Sequence, residues 1–216
     1  MASRGREERV DRMLQILRQR GIHDSRVLDA MRTVPRDRFV PPDLEEQAYD
    51  DAALPVGCGQ TISQPLIVAW MTELLELTGD ETVLEIGTGT GYQTAILAML
   101  SRRVISMERI AELSTTAARR LEKFAISNVE LVVGDGTLGW AAEAPYDAIL
   151  AAAGTPQMPP PLYEQLRMGG RLVLPIGDAS AQEMHRIWKT AEGPRIERLG
   201  GCRFVPLIGK AGWPDH

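Results

Sequence analysis

VLEIGTGTGY, residues 83–92, is an apolar run that ends in three alternating glycines, Gly87, Gly89 and Gly91. An apolar, helix-like segment, residues 95–100, follows directly. A buried strand that leads through a glycine turn into a helix is how α/β proteins bring their backbone close to a nucleoside-bearing ligand. The stretch therefore predicts an α/β fold with a ligand site at the turn.

The glycine spacing indicates which ligand. A dinucleotide-binding fingerprint has the spacing G-x-G-x-x-G, but Tyr92 stands where the third glycine would be. The chain has E-x-G-x-G-x-G instead, with Glu85 two residues before the first glycine. This form resembles the first motif of S-adenosylmethionine-dependent methyltransferases. From this motif alone, a glycine-rich turn in another kind of α/β protein stays open.

Composition limits which other classes of protein this chain can belong to. The 216 residues are 44% hydrophobic and 25% charged with a net charge of −5, which is ordinary for one sizeable globular domain. No apolar run approaches the roughly 20 residues that span a bilayer, and residues 1–12 are too polar for a secretory signal. Cys58 and Cys202 make no disulfide framework, and the three histidines have no metal-ligand spacing. We expect a cytoplasmic monomer without metal, nucleic-acid partner or membrane partner.

The N-terminal part reads as helical. A first helix, ending at Gly21, has apolar residues at helical spacing: Val10, Met13, Leu14 and Leu17. A second helix starts near Asp24 or Ser25 and ends before Pro35. The segment 34–42 is too proline-rich for a regular element. We predict an N-terminal helical cap, residues 1–62, before a methyltransferase domain, residues 63–216, with the two forming one compact unit.

The second part alternates strands with helices. A helix over 64–77 begins near Ser63, because Pro65 is tolerated only in a first turn. Strands are then predicted at 83–86, 104–107, 131–133, 148–152 and 172–176, and helices at 91–100, 111–125 and 160–167. This order predicts a doubly wound, mostly parallel sheet with helices on both faces. The segment 182–207 is predicted as an antiparallel edge.

Acidic residues follow two of these strands, at the sheet edge where such folds bind ligands. Glu108 is expected to accept hydrogen bonds from ribose hydroxyls; the alternative is a solvated first residue of the next helix. Asp135 is expected to accept from an adenine amino group; the alternative is that Asp135-Gly136 is only a turn. Glu85 is expected to be a cofactor-binding residue; the alternative is that it only organises the glycine turn by hydrogen bonds to the backbone. The other cofactor-binding residues predicted here are Gly87, Thr88, Gly89, Gly91, Tyr92 and Gly136.

The chain resembles, over nearly its whole length, the protein-L-isoaspartate (D-aspartate) O-methyltransferases. Beside the glycine motif, the resemblance rests on VPRDRFV (34–40), GQTISQP (59–65), GDG (134–136), APYDAI (144–149), GGRLVLPIG (169–177) and RFVPL (203–207). The segments TISQP and FVPL are the more selective markers. Two departures are Gly154-Thr155, where the family more often has alanine and proline, and Cys58, where a polar residue is more usual. Both are expected to tune substrate preference.

The resemblance implies a reaction and a set of site residues. The methyl group of S-adenosyl-L-methionine would pass to the free α-carboxylate of an L-isoaspartyl residue in a damaged protein, and the ester would cyclise to a succinimide. Ser63 matches the active-site serine of the family. Gln60, Thr61 and Ile62 would line the same pocket as cofactor-binding residues, and Leu207 and its neighbours would close its substrate side.

The chemistry agrees with the residues present. A carboxyl group with a pKa of about 4 is already an anionic nucleophile at neutral pH, so no general base is required. Ser63 lies just before a helix, whose free N–H groups and dipole favour an anion. The alternative role of Ser63 is that of an N-cap.

Other functions stay open at this point. The main alternative is a small-molecule carboxyl or hydroxyl O-methyltransferase on the same fold. A non-catalytic methyltransferase-like domain is disfavoured by the complete set of motif residues. A nicotinamide dehydrogenase is opposed by Tyr92 and by the lack of a proton-transfer pair.

Overall fold

The N-terminal cap is helical, as predicted. The computed structural model describes residues 2–215. Helix α1 spans Ala2–Gln19 and helix α2 spans Ser25–Thr33. Gly21, with a φ of 96°, lets the chain leave α1, and the N–H of Ile22 donates to the Leu17 carbonyl at 3.1 Å. The Asp24 side chain caps α2 by accepting from the N–H of Arg26.

The segment after α2 contains more structure than the sequence predicted. Short 3₁₀ helices cover Arg36–Phe39 and Pro42–Gln47. A hairpin follows, with β1 at Leu54–Gly57 and β2 at Gln60–Ile62. Its turn holds Cys58 at a φ of 51°, between two glycines that also have positive φ. Strands this short show no clear alternation, which is why the sequence pattern missed the hairpin.

Helix α3 spans Pro65–Leu74 and is shorter than the predicted 64–77. It starts where Pro65 predicted. It stops early because Glu76 takes a left-handed φ of 48°, which interrupts the helical hydrogen bonds before Gly79.

The central sheet confirms the predicted fold class. Seven strands lie in the order β5-β4-β3-β6-β7-β8-β9. The first five strands in this order form four parallel pairs, and the last two pairs, β7-β8 and β8-β9, are antiparallel. The chain order reverses beside β3, which is the strand that leads into the glycine turn. The elements are β3 Thr82–Ile86, α4 Tyr92–Leu100, β4 Arg103–Glu108, α5 Ala111–Lys123, β5 Val129–Val133, β6 Tyr146–Ala151, α6 Pro160–Glu164, β7 Leu166–Gly177, β8 Gln182–Thr190 and β9 Gly193–Cys202.

The cap packs on the sheet domain through a shared apolar core. One cluster of buried side chains joins Leu17 and Met31 of the cap to Tyr92 and Leu121 of helices α4 and α5. Phe39 lies at its centre, with its ring centroid 5.5 Å from those of Tyr92 and Phe124. The division at residue 62 stays a prediction. Among residues 2–215, no helix has both the length and the apolar character to cross a bilayer.

Candidate active site

A cavity of about 220 Å³ lies at the carboxyl ends of β3 and β4. Its walls are the hairpin exit before α3, the glycine turn, the end of β4 and the C-terminal segment 205–208. Eleven of the fourteen residues that the sequence analysis named for the site line it: Gln60, Thr61, Ile62, Ser63, Gly87, Thr88, Gly89, Tyr92, Glu108, Gly136 and Leu207. Glu85, Gly91 and Asp135 do not.

The glycine turn has the backbone shape that its sequence requires. Gly87 and Gly89 have φ values of 96° and 52°, in the left-handed region that favours glycine. A Cβ atom on Gly89 would meet no other atom within 4 Å. The turn thus leaves space beside its backbone, which a ligand can use for close approach.

Gly91 has a different role from the one predicted. It is the N-cap residue of α4, with a φ of 86°. A Cβ atom there would lie 3.2 Å from the Cβ of Ala117 in α5. Gly91 therefore allows close packing of the turn on helix α5 and does not face the cavity.

Glu108 lines the cavity and is bound to the turn. Its side chain is buried, and Oε2 accepts a hydrogen bond from the N–H of Gly89 at 2.9 Å. Oε1 accepts from the N–H of Ile110 at 3.0 Å. The alternative of a solvated helix start is therefore wrong. Because a carboxylate has about four acceptor positions, Glu108 keeps capacity for ligand hydroxyls.

Glu85 lies behind the cavity wall. Its carboxylate is fully buried and accepts from the hydroxyls of Thr94, at 2.5 Å, and Ser106, at 2.6 Å. The predicted bonds to the turn backbone are not made; Glu85 reaches the turn through Ser106, whose Oγ lies 2.6 Å from that of Thr88. Burial raises the pKa of Glu85 to about 7, although both hydroxyl bonds act to lower it.

Asp135 binds the C-terminal segment instead of lining the cavity. Burial acts to raise its pKa, but hydrogen bonds from the backbone of Lys210, at 2.9 Å, and from Thr137 keep it below the usual value. The alternative that Asp135 and Gly136 form only a turn is also insufficient, because Gly136 lines the cavity. The adenine contact of Asp135 stays a prediction.

The C-terminal segment lines the cavity through Leu207 and its neighbours Val205, Pro206 and Ile208. The carbonyl of Gly154 accepts from the N–H of Leu207, at 2.7 Å, and from Nε1 of Trp213, at 3.1 Å. Gly154, one of the two departures from the family pattern, thus anchors this wall. Cys58, the other, is exposed in the hairpin turn, with Sγ 3.8 Å from Oε2 of Glu112.

Ser63 lines the same cavity as Glu108, and the N-cap alternative is wrong. The cap residue of α3 is Gln64, and the first turn is bound by Asp51, whose Oδ1 accepts from the N–H of Leu66 at 3.0 Å. This carboxylate already occupies the helix N-terminus, which weakens the dipole argument for a ligand anion there. The Ser63 hydroxyl has no hydrogen-bond partner among residues 2–215 and is available to a ligand, while its carbonyl accepts from Nη2 of Arg36 at 2.7 Å.

Several of the residues that line the cavity were not named in the sequence analysis. Arg109 and Ile110 directly follow β4, and Ala152 and Ala153 follow β6, so the rule that ligands bind beyond strand ends could have found them. Ile86 and Thr90 belong to the glycine motif, and Val205, Pro206 and Ile208 are neighbours of Leu207, so the sequence had pointed to their segments. The others reach the cavity only through the tertiary fold: Val68, Met71, Gln93 and Met107. Within residues 2–215, no group of three His, Cys, Asp or Glu side chains is placed to hold a metal ion.

Comparison with known proteins gives consistent matches. The model of the family Protein-L-isoaspartate(D-aspartate) O-methyltransferase matches residues 8–212. Protein-L-isoaspartate O-methyltransferase 1 of Syntrophobacter fumaroxidans is 56% identical over 204 residues, covering 94% of this chain and 95% of the relative. A solved protein-L-isoaspartate O-methyltransferase structure matches with a TM-score of 0.83 at 28% identity, covering 94% of this chain and 67% of the other. A Plasmodium falciparum structure assigned to the same enzyme class, in complex with S-adenosyl-L-homocysteine, has a TM-score of 0.79 at 25% identity and covers 91% of this chain and 96% of the other.

Proposed function

The chain belongs to the protein-L-isoaspartate(D-aspartate) O-methyltransferase family, and we propose that the cavity between Ser63 and Glu108 is its active site. Its reaction is S-adenosyl-L-methionine-dependent methylation of L-isoaspartyl residues. We assign the free α-carboxylate of the isoaspartyl residue as the methyl acceptor. The compared relatives are named protein-L-isoaspartate O-methyltransferases, so they do not favour the small-molecule alternative.

One observation carries the assignment of the site. A single cavity is lined by two parts of the chain. One part, the glycine turn with Glu108, is called the cofactor wall, and the other, residues 60–63, is called the acceptor wall. The two parts come from distant stretches of sequence and belong to different motifs. Their meeting in one cavity supports a shared reaction site for cofactor and acceptor.

The residues on the cofactor wall fit S-adenosyl-L-methionine. The open space beside Gly89 admits a ligand against the backbone, and the spare acceptor positions of Glu108 suit ribose hydroxyls. Gly136 also lines the cavity, and a Cβ atom there would clash with the side chain of Ile86, so glycine is required at this position. When bound, the cofactor supplies a methyl group on a positively charged sulfonium.

The acceptor wall needs only to bind and orient an anion. The isoaspartyl carboxyl is ionised at neutral pH, so this chain need not remove a proton. The free Ser63 hydroxyl would donate a hydrogen bond to one carboxylate oxygen and so direct the other. Apolar side chains of Ile62, Met71 and Leu207 would exclude water from the nucleophile. Correct orientation can contribute up to about 7–11 kcal/mol in favourable model systems.

The partners follow from the acceptor. We infer that damaged proteins and peptides with isoaspartyl residues are the substrates, and that nucleic acids and membranes are not. A monomer suffices, because one chain supplies both cavity walls. The free, exposed thiol of Cys58 suits a reducing cytoplasm, where we place the protein.

Methyl transfer from labelled S-adenosyl-L-methionine tests the function. An isoaspartyl peptide is compared with its aspartyl twin and with a panel of small carboxylic acids and alcohols. We expect label in the isoaspartyl peptide and none in the twin. Labelling of a small acid in preference to the isoaspartyl peptide would contradict the proposal.

A further inference from the structure

Arg36 is a fully buried cation that connects the cap to both walls of the cavity. Its Nε donates to the Ala48 carbonyl at 2.7 Å, and its Nη2 donates to the Ser63 carbonyl at 2.7 Å. The guanidinium carbon lies 4.9 Å from the ring centroid of Tyr92, the first residue of α4 after the glycine turn. One side chain thus contacts both Ser63 of the acceptor wall and Tyr92 at the end of the glycine turn.

The bonding of Arg36 is unusual for a buried charge. Both hydrogen bonds end on carbonyls, and its Nη1 is buried without a partner among residues 2–215. Burial lowers the pKa of Arg36 to about 10, so it stays protonated at neutral pH. A buried charge without an ion-pair partner is costly, so packing alone gives little reason for arginine here.

Arg36 and Asp51 hold residues 63–66 from the two ends of this segment. Arg36 binds the carbonyl of Ser63, and Asp51 binds the N–H of Leu66. Between these anchors, the Ser63 backbone is fixed while its hydroxyl is free.

We propose that Arg36 is a positioning residue for methyl transfer. It fixes the Ser63 peptide against Tyr92 and thereby sets the position of the acceptor carboxylate relative to the cofactor wall. This inference rests on the proposed role of Ser63. The planar fork of arginine is required, because a lysine ammonium is a single point and does not reproduce two parallel donors to separate carbonyls.

Kinetics of Arg36→Lys and Arg36→Gln test the proposal. We expect kcat for the isoaspartyl peptide to fall about tenfold to a hundredfold in both variants, because small misplacements of reacting groups are costly. The dissociation constant of S-adenosyl-L-homocysteine, measured by calorimetry, should stay close to that of the wild type. Rates are divided by the concentration of binding-competent protein, so partial unfolding does not imitate the effect.

Tyr49→Phe is the matched control. Tyr49 donates at 2.6 Å to Asp37, the neighbour of Arg36, within the same cap, but among residues 2–215 no hydrogen bond joins its side chain to Ser63. This variant should lose thermal stability and keep kcat. A kcat of Arg36→Lys equal to the wild-type value, or an equal fall in Tyr49→Phe, would overturn the proposal.

A double variant separates this inference from the proposed function. If Arg36 acts through Ser63, Arg36→Lys combined with Ser63→Ala should be no slower than Ser63→Ala alone. Additive losses would show that Arg36 acts elsewhere and would contradict the proposal. Failure of the wild type to methylate the isoaspartyl peptide would instead refute the function itself.

Discussion

The backbone N–H of Gly89 donates to Oε2 of Glu108 at 2.9 Å, which joins the glycine turn after β3 to the end of β4. The two strands are parallel neighbours, with Ile86 paired to Met107, so both chain segments leave the sheet at the same edge. Glu108 therefore stabilises the glycine turn, and we expect the two together to form the cofactor site.

Glu108→Gln should weaken cofactor binding. The amide nitrogen that replaces one carboxylate oxygen cannot accept from Gly89, Ile110 or a ribose hydroxyl. We expect the dissociation constant of S-adenosyl-L-homocysteine to rise about tenfold to a hundredfold, as for loss of a hydrogen bond to a charged group. Calorimetry measures it, with the exposed Glu112→Gln as control. Equal affinities for Glu108→Gln and wild type would contradict this role.

Alanine substitutions at Gly89 and Gly91 should affect cofactor binding and stability differently. Both positions have positive φ, so each substitution carries a backbone strain of about 1–2 kcal/mol. Gly91→Ala adds crowding against Ala117 and should lower the melting temperature further, whereas Gly89→Ala places its methyl in open space. Gly89→Ala should therefore impair cofactor binding more than Gly91→Ala does. The reverse order in calorimetry and thermal melts would show that the two roles are misassigned.

Ser63→Ala should reduce turnover without reducing stability. The hydroxyl makes no hydrogen bond within residues 2–215 and does not cap α3, so the fold loses nothing. Loss of a donor to the substrate carboxylate should lower kcat/KM about tenfold to a hundredfold. Steady-state kinetics and a thermal melt on the same preparation check both parts. Unchanged kinetics would remove Ser63 from the site.

Glu85→Gln should change how stability depends on pH. The pKa of a carboxyl group is about 4.3 in an unfolded chain and that of Glu85 is about 7 when folded. Between these values the folded state binds more protons, so the unfolding free energy of the wild type falls as pH rises, and the loss levels off above the folded pKa. Glutamine does not titrate and escapes this loss.

Calorimetric melts of both proteins check the effect of Glu85. The melting temperature of the wild type relative to Glu85→Gln should fall between about pH 5 and about pH 8. The exposed Glu122→Gln should show no such trend. A constant difference between Glu85→Gln and wild type across this range would contradict the raised pKa.

The fold could be predicted from local patterns. The alternation of short apolar runs with helical segments fixes a parallel sheet, and the topological rule for ligand sites then places Glu108 at its edge. Both steps use only neighbours in sequence. Helix α3 could not be bounded at its end, because the left-handed turn at Glu76 leaves no compositional mark.

The partners of the acidic side chains could not be predicted. Asp135 binds a backbone group of Lys210, 75 residues away, and this contact exists only after the C-terminal segment returns to the sheet. Glu85 similarly depends on Ser106, which lies on the neighbouring strand. Arg36 contributes to the site by contacting Ser63 from the cap, and its sequence surroundings gave no indication of that contact.

A crystal structure of the chain with S-adenosyl-L-homocysteine and an isoaspartyl peptide tests the central claim most directly. We expect the ribose hydroxyls on Glu108 and the peptide α-carboxylate within hydrogen-bond distance of the Ser63 hydroxyl, both in the one cavity. A carboxylate bound away from Ser63, or a ribose bound away from Glu108, would contradict the account.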